Sequence, residues 1–321
     1  MELSCAAVNL ETLKGLDLRW LDAVYLGHPY CLKTRGNLIT DVRGLQEAVE
    51  LLHRSGKKAY AATPIVPRVS EFARVEKYLR AAVEVGVDAV EVGDQGVWRY
   101  MRTTYPGVPV HVASSMNIYQ PETAAFYRDA GARRIIPANE LMSSEVAEII
   151  DKVDGVEFAL PIHGALLLGM SYTCMLRLKF PGRELDACRN QCEEEHYVDM
   201  GDWRMRSVGT ANVTADDFSF IEYLPQLPPL AGVRLETHFD SVEKINRLSR
   251  IYSEALIAAA QSDYDGAGYK EQVLAVCGSV SNGWRFGVPG QAYHAPSDLD
   301  PYLGAVARAR TDKLGGVADA S

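Results

Sequence analysis

The most constraining feature of this chain is a repeated alternation. Short β-branched apolar runs recur at Leu3–Val8, Ala23–Leu26, Lys58–Ile65, Ala89–Val92, Pro109–Ala113, Arg134–Ile136, Val156–Pro161 and Gly232–Thr237. Between most of them, apolar residues return at helix spacing, as in Val42, Leu45, Val49 and Leu52, or Phe72, Val75, Leu79 and Val83, or Ile245, Leu248, Tyr252 and Leu256. Asp41, Ser70-Glu71 and Ser143-Ser144-Glu145 are helix-start signals, and the glycines of Val85-Gly86-Val87 and Ala130-Gly131-Ala132 suit left-handed helix ends. Eight strands alternating with helices predict an α/β fold, a (β/α)8 TIM-like barrel. A doubly wound open sheet fits less well, because no G-x-G-x-x-G follows the first strand. Between the seventh and eighth strands lies a long, cysteine-bearing insertion, about residues 164–230, and connections of that length are usually functional. We expect one barrel domain over residues 1–296 and a polar, Gly/Ala-rich tail over 297–321.

Composition narrows the function classes. The 321 residues, 47% of them hydrophobic, can bury a large core. No run approaches the ~18 consecutive apolar residues of a membrane span, and MELSCAAVNL has no basic n-region or apolar h-region. Six cysteines are too few for a disulfide scaffold in a chain this long, so a reducing, cytoplasmic setting is expected. The net charge is −9, no Lys/Arg run is present, and the densest charge is the acidic Glu193-Glu194-Glu195. Polyanion binding draws on clustered cations, so a nucleic-acid partner is disfavoured.

Three cysteines inside the insertion, Cys174, Cys188 and Cys192, follow the pattern C-x13-C-x3-C, and Cys31 sits in a loop far upstream. Cys188 and Cys192 are one helical turn apart, and a loop of ~14 residues can fold Cys174 back onto them. Cys31 joins them only if the second and seventh loops overlie one barrel mouth. Four thiolates match the ligand count of an iron–sulfur cluster and of a structural zinc; loop-packed free thiols are the third alternative. The C-x3-C spacing departs from the C-x2-C knuckles usual for zinc. Cys5, in the first strand, and Cys277, in an apolar run, read as core cysteines.

In a parallel barrel, the loops after the strands form the active face. Cys31 follows the second strand, Asp94 and Gln95 the fourth, Ser114, Ser115 and Asn117 the fifth, Asn139 and Glu140 the sixth, and His163 and Cys174 the seventh. All are expected to face one crevice. Glu140, His163 and Asp94 are the candidate proton handlers, and Ser114, Ser115 and Asn117 the candidate substrate contacts. Helix caps, turn residues and a structural histidine are the plainer readings of the same positions. No G-x-S-x-G elbow and no H-E-x-x-H are present, which counts against a serine hydrolase or a zinc protease.

Tyr25-Leu26-Gly27 with Cys31 and Lys33, Glu91-Val92-Gly93-Asp94, His111-Val112-Ala113-Ser114, Pro137-Ala138-Asn139-Glu140-Leu141, His163-Gly164 and the cysteine loop together resemble the collagenase-like peptidase family. The order and spacing span roughly residues 20–200. Within the family, the pairing of Y-L-G-x-x-x-C with a later C and C-x3-C is similar to the UbiV-like branch, as is Asn282-Gly283-Trp284. That resemblance implies a [4Fe–4S] cluster on Cys31, Cys174, Cys188 and Cys192. It also implies a part in oxygen-independent hydroxylation of a quinone-precursor-like ring, prephenate as oxygen donor, and a UbiU-like partner. A peptidase and a non-catalytic iron–sulfur or zinc subunit of a hetero-complex are the alternatives. The chain departs from the family where many members carry Arg-Glu and it has Asn139-Glu140, and where Ser171-Tyr172-Thr173-Cys174 replaces Ser-Gly-x-Cys.

Overall fold

The computed structural model describes residues 1–171, 173–176, 192, 194–201, 203–261, 264–288 and 290–296. Cys188 and the tail 297–321 lie outside the described residues.

All eight expected strands are present, as β1 (Glu2–Ala7), β2 (Ala23–Leu26), β3 (Lys58–Ala62), β4 (Ala89–Val92), β5 (Val110–Val112), β6 (Arg134–Ile135), β7 (Glu157–Gly164) and β13 (Gly232–Glu236). Each pairs in parallel with the next, and β13 pairs in parallel with both β7 and β1, which closes the barrel. Gly232 is opposite Glu2 on one side and Ala159 on the other.

Strand side chains alternate between the two faces. The outward set includes Leu3, Cys5, Val24, Leu26, Val90, Val92, Val110, Val112, Leu160 and Leu235. It packs under the helices as the main core, all of it buried. The inward set is polar. Tyr25, Tyr60, Glu91, His111, Arg134, Arg234 and Glu236 fill the barrel where branched aliphatics are usual.

The helices are α1 (Leu10–Gly15), α2 (Val42–Arg54), α3 (Val69–Glu84), α4 (Gln95–Thr104), α5 (Pro121–Asp129), α6 (Ser143–Lys152), α7 (Val242–Ala259) and α8 (Gly266–Cys277). Their starts follow capping chemistry. Asp41 accepts from Gly44 N–H at 3.0 Å. Glu71 and Glu145 reach back to the backbone N–H of Arg68 (3.0 Å) and Met142 (2.8 Å).

The interruption between β7 and β13 carries a sheet of its own. Strands β8 (Leu167–Met170), β9 (Tyr197–Met200), β10 (Trp203–Ser207) and β11 (Ala211–Thr214) pair antiparallel in the order β8-β11-β10-β9. The chain then returns through β12 (Asp217–Ser219), which pairs antiparallel with the end of β7, Phe218 opposite Gly164. A short 3-10 helix, Ile221–Gln226, carries it back to β13. Strand β14 (Val280–Ser281) adds in parallel to β12.

Candidate functional site

At the C-terminal ends of the strands opens a cleft of about 480 Å³. Asp94 and Gln95 line it from the β4 loop, Ser114, Ser115 and Asn117 from the β5 loop, and Asn139 and Glu140 from the β6 loop. The barrel order delivers these residues to one place, as expected. The inserted strand β8 supplies the remaining wall with Leu167, Leu168, Gly169 and Met170, to which Ile65 and Val66 add. The cleft therefore has an apolar side and a side of short polar groups.

Local bonding says what each group is free to do. Asp94 caps α4, accepting from Val97 N–H at 3.0 Å. Ser115 donates to Gly93 O at 3.3 Å. Asn117 holds a left-handed φ of 58°, among the described residues the lone non-glycine case, which turns the β5 loop around the cleft. Asn139 donates from Nδ2 to Leu167 O at 3.2 Å and so ties the β6 loop to the inserted wall. Glu140 is exposed and accepts the Tyr119 hydroxyl at 2.6 Å. Burial, and then that bond, push the Tyr119 phenol up to about 12, so the proton stays on tyrosine at neutral pH.

Below the cleft lies an ionic floor. Arg234 Nη1 sits 2.5 Å from Glu91 Oε2, and Arg234 Nε 3.1 Å from Glu236 Oε1. The guanidinium lies 4.3 Å over the Tyr25 ring, and His238 Nδ1 is 3.3 Å from Glu236. A cavity of about 20 Å³ is lined both by this floor and by Ser114 and Ser115. Burial raises the Glu91 carboxyl above its ordinary value even against Arg234. Burial also works against the Glu236 carboxylate, but Arg234 and His238 outweigh it and hold that group low.

The cysteine segments meet at one turn. The Tyr30 carbonyl, next to Cys31, accepts the Thr210 hydroxyl. Cys174 lies against the same turn: a Cβ added to Gly209 would sit 3.5 Å from its Sγ. Ser171 N–H donates to Thr210 O at 2.7 Å and Met175 N–H to Gly209 O at 2.8 Å. The Gly209-Thr210 turn between β10 and β11 thus links the segment that leads to Cys31 with the segment that carries Cys174. Both segments border the cleft, since Pro29 O accepts from Ile65 N–H at 3.2 Å and Met170 ends β8. Cys192 is partly buried in the same inserted region.

His163 is placed elsewhere. The β7–β13 register skips from Pro161 opposite Arg234 to His163 opposite Leu235, so β7 carries one extra residue there. Such a bulge re-aims side chains. His163 points away from the cleft, into the layer between sheet and helices, where Nδ1 meets Tyr252 Oη of α7 at 3.0 Å. It is fully buried, and burial holds its imidazole down to about 4 although Asp217 pulls the other way. Cys277, expected as a core residue, is only partly buried and packs its Sγ 3.8 Å from His163 Nε2. Burial, and next the Asp217 carboxylate, push its thiol up to about 12. Cys5 is fully buried in β1, in keeping with a core role.

A family model described as Peptidase family U32 matches residues 8–292, the barrel with its insertion. The chain belongs to the U32 family. Among its relatives, the "tRNA hydroxylation protein P" of Escherichia coli (strain K12) is 30% identical over 203 residues, 62% of this chain and 45% of that protein. The "tRNA hydroxylation protein P1" of Bacillus subtilis (strain 168) is 25% identical over 290 residues, 88% of this chain and 65% of that protein. The "23S rRNA 5-hydroxycytidine C2501 synthase" of E. coli is 28% identical over 195 residues, 60% of this chain and 29% of that protein. The U32 chain spans about half the length of the first of these, and less than two thirds of each.

Sequence reasoning missed several residues of this U32 site. The signal for the ionic floor was present: Glu91 and Arg234 interrupt apolar runs at inward positions, as does Glu236 two residues on. Tyr119 carried no local signal, because its pairing with Glu140 depends on two loops meeting in space.

Proposed function

We propose that this U32 chain takes part in hydroxylating an aromatic ring held in the cleft beneath its cysteine centre. The observation that supports the reading is the Gly209-Thr210 turn, which bonds the segment leading to Cys31 and lies against Cys174 beside the cleft. Relatives named for RNA hydroxylation support the reaction class. Cys31 and Cys174, with Cys192 and with Cys188, which lies outside the described residues, would hold a [4Fe–4S] cluster. The donor set fits: thiolates from two loops that share one turn, next to a cleft, are suited to soft iron or zinc and poorly suited to a hard cation. When bound, such a cluster supplies a redox-active or electrophilic iron at the rim.

The protein's own groups would do the rest. Ile65, Val66, Leu167 and Met170 offer a face to a flat ring, and excluding water there strengthens polar contacts nearby. Ser114, Ser115 and Asn117 would orient polar substituents, including the carboxylates of a donor such as prephenate. Glu140, hydrogen-bonded to Tyr119, is the proposed proton handler, and Asp94 fixes the start of α4 beside it. In this reading no O2 is used, the ring is a quinone precursor or a similar small aromatic, and a UbiU-like chain is the partner.

The net charge of −9 favours a small ring over a polynucleotide. The names of the relatives favour a second reading, in which the ring is an RNA base. The peptidase reading draws on the family name alone; among the described residues, those lining the cleft include serines but no histidine or lysine to activate them.

Anaerobically prepared protein tests the proposal. Iron, sulfide and an EPR signal upon reduction are expected, all lost in Cys188→Ala. A colourless protein with stoichiometric zinc would overturn the cluster. Supplying a small aromatic acid or an unmodified tRNA, each with prephenate under argon, separates the two substrate readings, and peptide cleavage that survives Cys174→Ala would replace both.

A further inference from the structure

The structure assigns a second metal site to this chain, a Cys-His-Asp centre for a zinc-like divalent ion, formed by His163, Asp217 and Cys277 on the outer face of the barrel. One ligating atom of each lies within 4.8 Å of the other two. The three residues come from different elements, β7, β12 and the last position of α8, and the fold brings them together by pairing. Ser219 is opposite His163, and Asp217 is opposite Val280, three residues past Cys277. With a strand period of two, His163, Ser219 and Asp217 share the face turned to the helices.

The surroundings are those of a ligand set. Tyr252 Oη meets His163 Nδ1 at 3.0 Å and Ser219 Oγ at 2.8 Å, which fixes the ring and leaves Nε2 toward Cys277, 3.8 Å away. Metal-bound histidines are held in this way through their other nitrogen. Lys244 takes Oδ2 of Asp217 at 2.6 Å but shares its charge with Asp240 at 2.7 Å. Two carboxylates and one ammonium leave one negative charge; adding a thiolate and a divalent cation brings the group to neutrality. One S, one N and one O donor match borderline ions such as Zn²⁺, and three protein ligands leave a fourth position for water. His163 is fully buried, whereas Asp217 and Cys277 are partly exposed, so an ion enters from their side. This centre is separate from the four cysteines of the proposed cluster and does not rest on that reading.

The test is a Co²⁺ titration of the full chain, followed by thiolate-to-cobalt absorption, with Zn²⁺ as competitor. One equivalent is expected to bind at this site in the wild type and in Cys188→Ala, and to be absent in Cys277→Ser. Tyr252→Phe, which keeps the ring, should weaken binding on the order of 10–100-fold. Asp217→Asn provides a second ligand variant should Cys277→Ser fail to fold. Equal Co²⁺ binding and absorption in the wild type and in the folded ligand variant would overturn the proposal and leave a hydrogen-bonded trio.

Discussion

The hydroxyl of Thr210 donates to the carbonyl of Tyr30, joining two segments 180 residues apart in the chain. Each segment leads to a cysteine, so under the proposed function this bond would position ligands more than it stabilises the barrel. Thr210→Val should cost about 1 kcal/mol of stability and lower the iron content of the purified protein well beyond that. Metal analysis beside a thermal melt checks it; unchanged iron content would separate this turn from the cysteine centre.

Glu140 and Tyr119 form the rim pair of the cleft. Glu140→Gln should reduce turnover by roughly 10²–10⁴-fold if it moves a proton, with little change in melting temperature because the side chain is exposed. Tyr119→Phe should cost less and shift the pH profile. Comparison of rates across pH for both variants is the measurement.

Arg234 stands between Glu91 and Glu236. Arg234→Met removes the guanidinium that both buried carboxyls share and leaves Glu236 with His238 alone, at a cost of about 3–5 kcal/mol. The sign with pH follows from burial. In the variant the folded carboxyls take up protons above the unfolded value, so the folded state binds more protons and stability falls as pH rises through that window. The deficit should therefore be smallest in mild acid and largest at neutral pH, read by urea denaturation at several pH values.

His28 is buried beside His238, and burial, then His238, hold its imidazole down to about 3. The unfolded histidine titrates near 6.5, so between those values the unfolded chain binds more protons and stability rises with pH. The slope is up to ~1.4 kcal/mol per pH unit for this one group. His28→Gln should remove about one proton from the pH dependence of unfolding below pH ~6.5. An unchanged slope would mean that His28 is charged in the folded protein.

Gly164 and Gly56 both have positive φ, but their surroundings differ. A Cβ at Gly164 would lie 2.2 Å from the Glu236 carbonyl oxygen, whereas one at Gly56 meets nothing within 4 Å. Gly164→Ala should cost more than about 3 kcal/mol, and Gly56→Ala only about 1 kcal/mol. Paired denaturation curves distinguish backbone strain from a steric clash.

The barrel was legible because its strands announce themselves twice, by apolar runs and by the helices between them. Even β6, two residues long, was placed correctly, since Arg134 and Ile135 sit between a glycine helix end and a turn. The inserted sheet was not legible. Strands such as Trp203–Ser207 do alternate, Trp203 and Met205 with Arg204 and Arg206, but two apolar residues are too short a pattern to be recognised alone. The cleft residues Asp94, Ser114, Ser115, Asn117 and Glu140 came together because strand order dictates it. His163 did not join them, because one extra residue in β7 reverses its face, and a bulge is a property of pairing that a single strand does not reveal.

Gly164 and Phe218 are paired neighbours, so the chain departs for its excursion and comes home through the same doorway. Everything between is a cassette whose size hardly matters to the staves of the barrel, since doubling such a detour costs only ~0.6 kcal/mol in closure entropy. Rims of different reach and chemistry could be exchanged there while the vessel beneath keeps its shape.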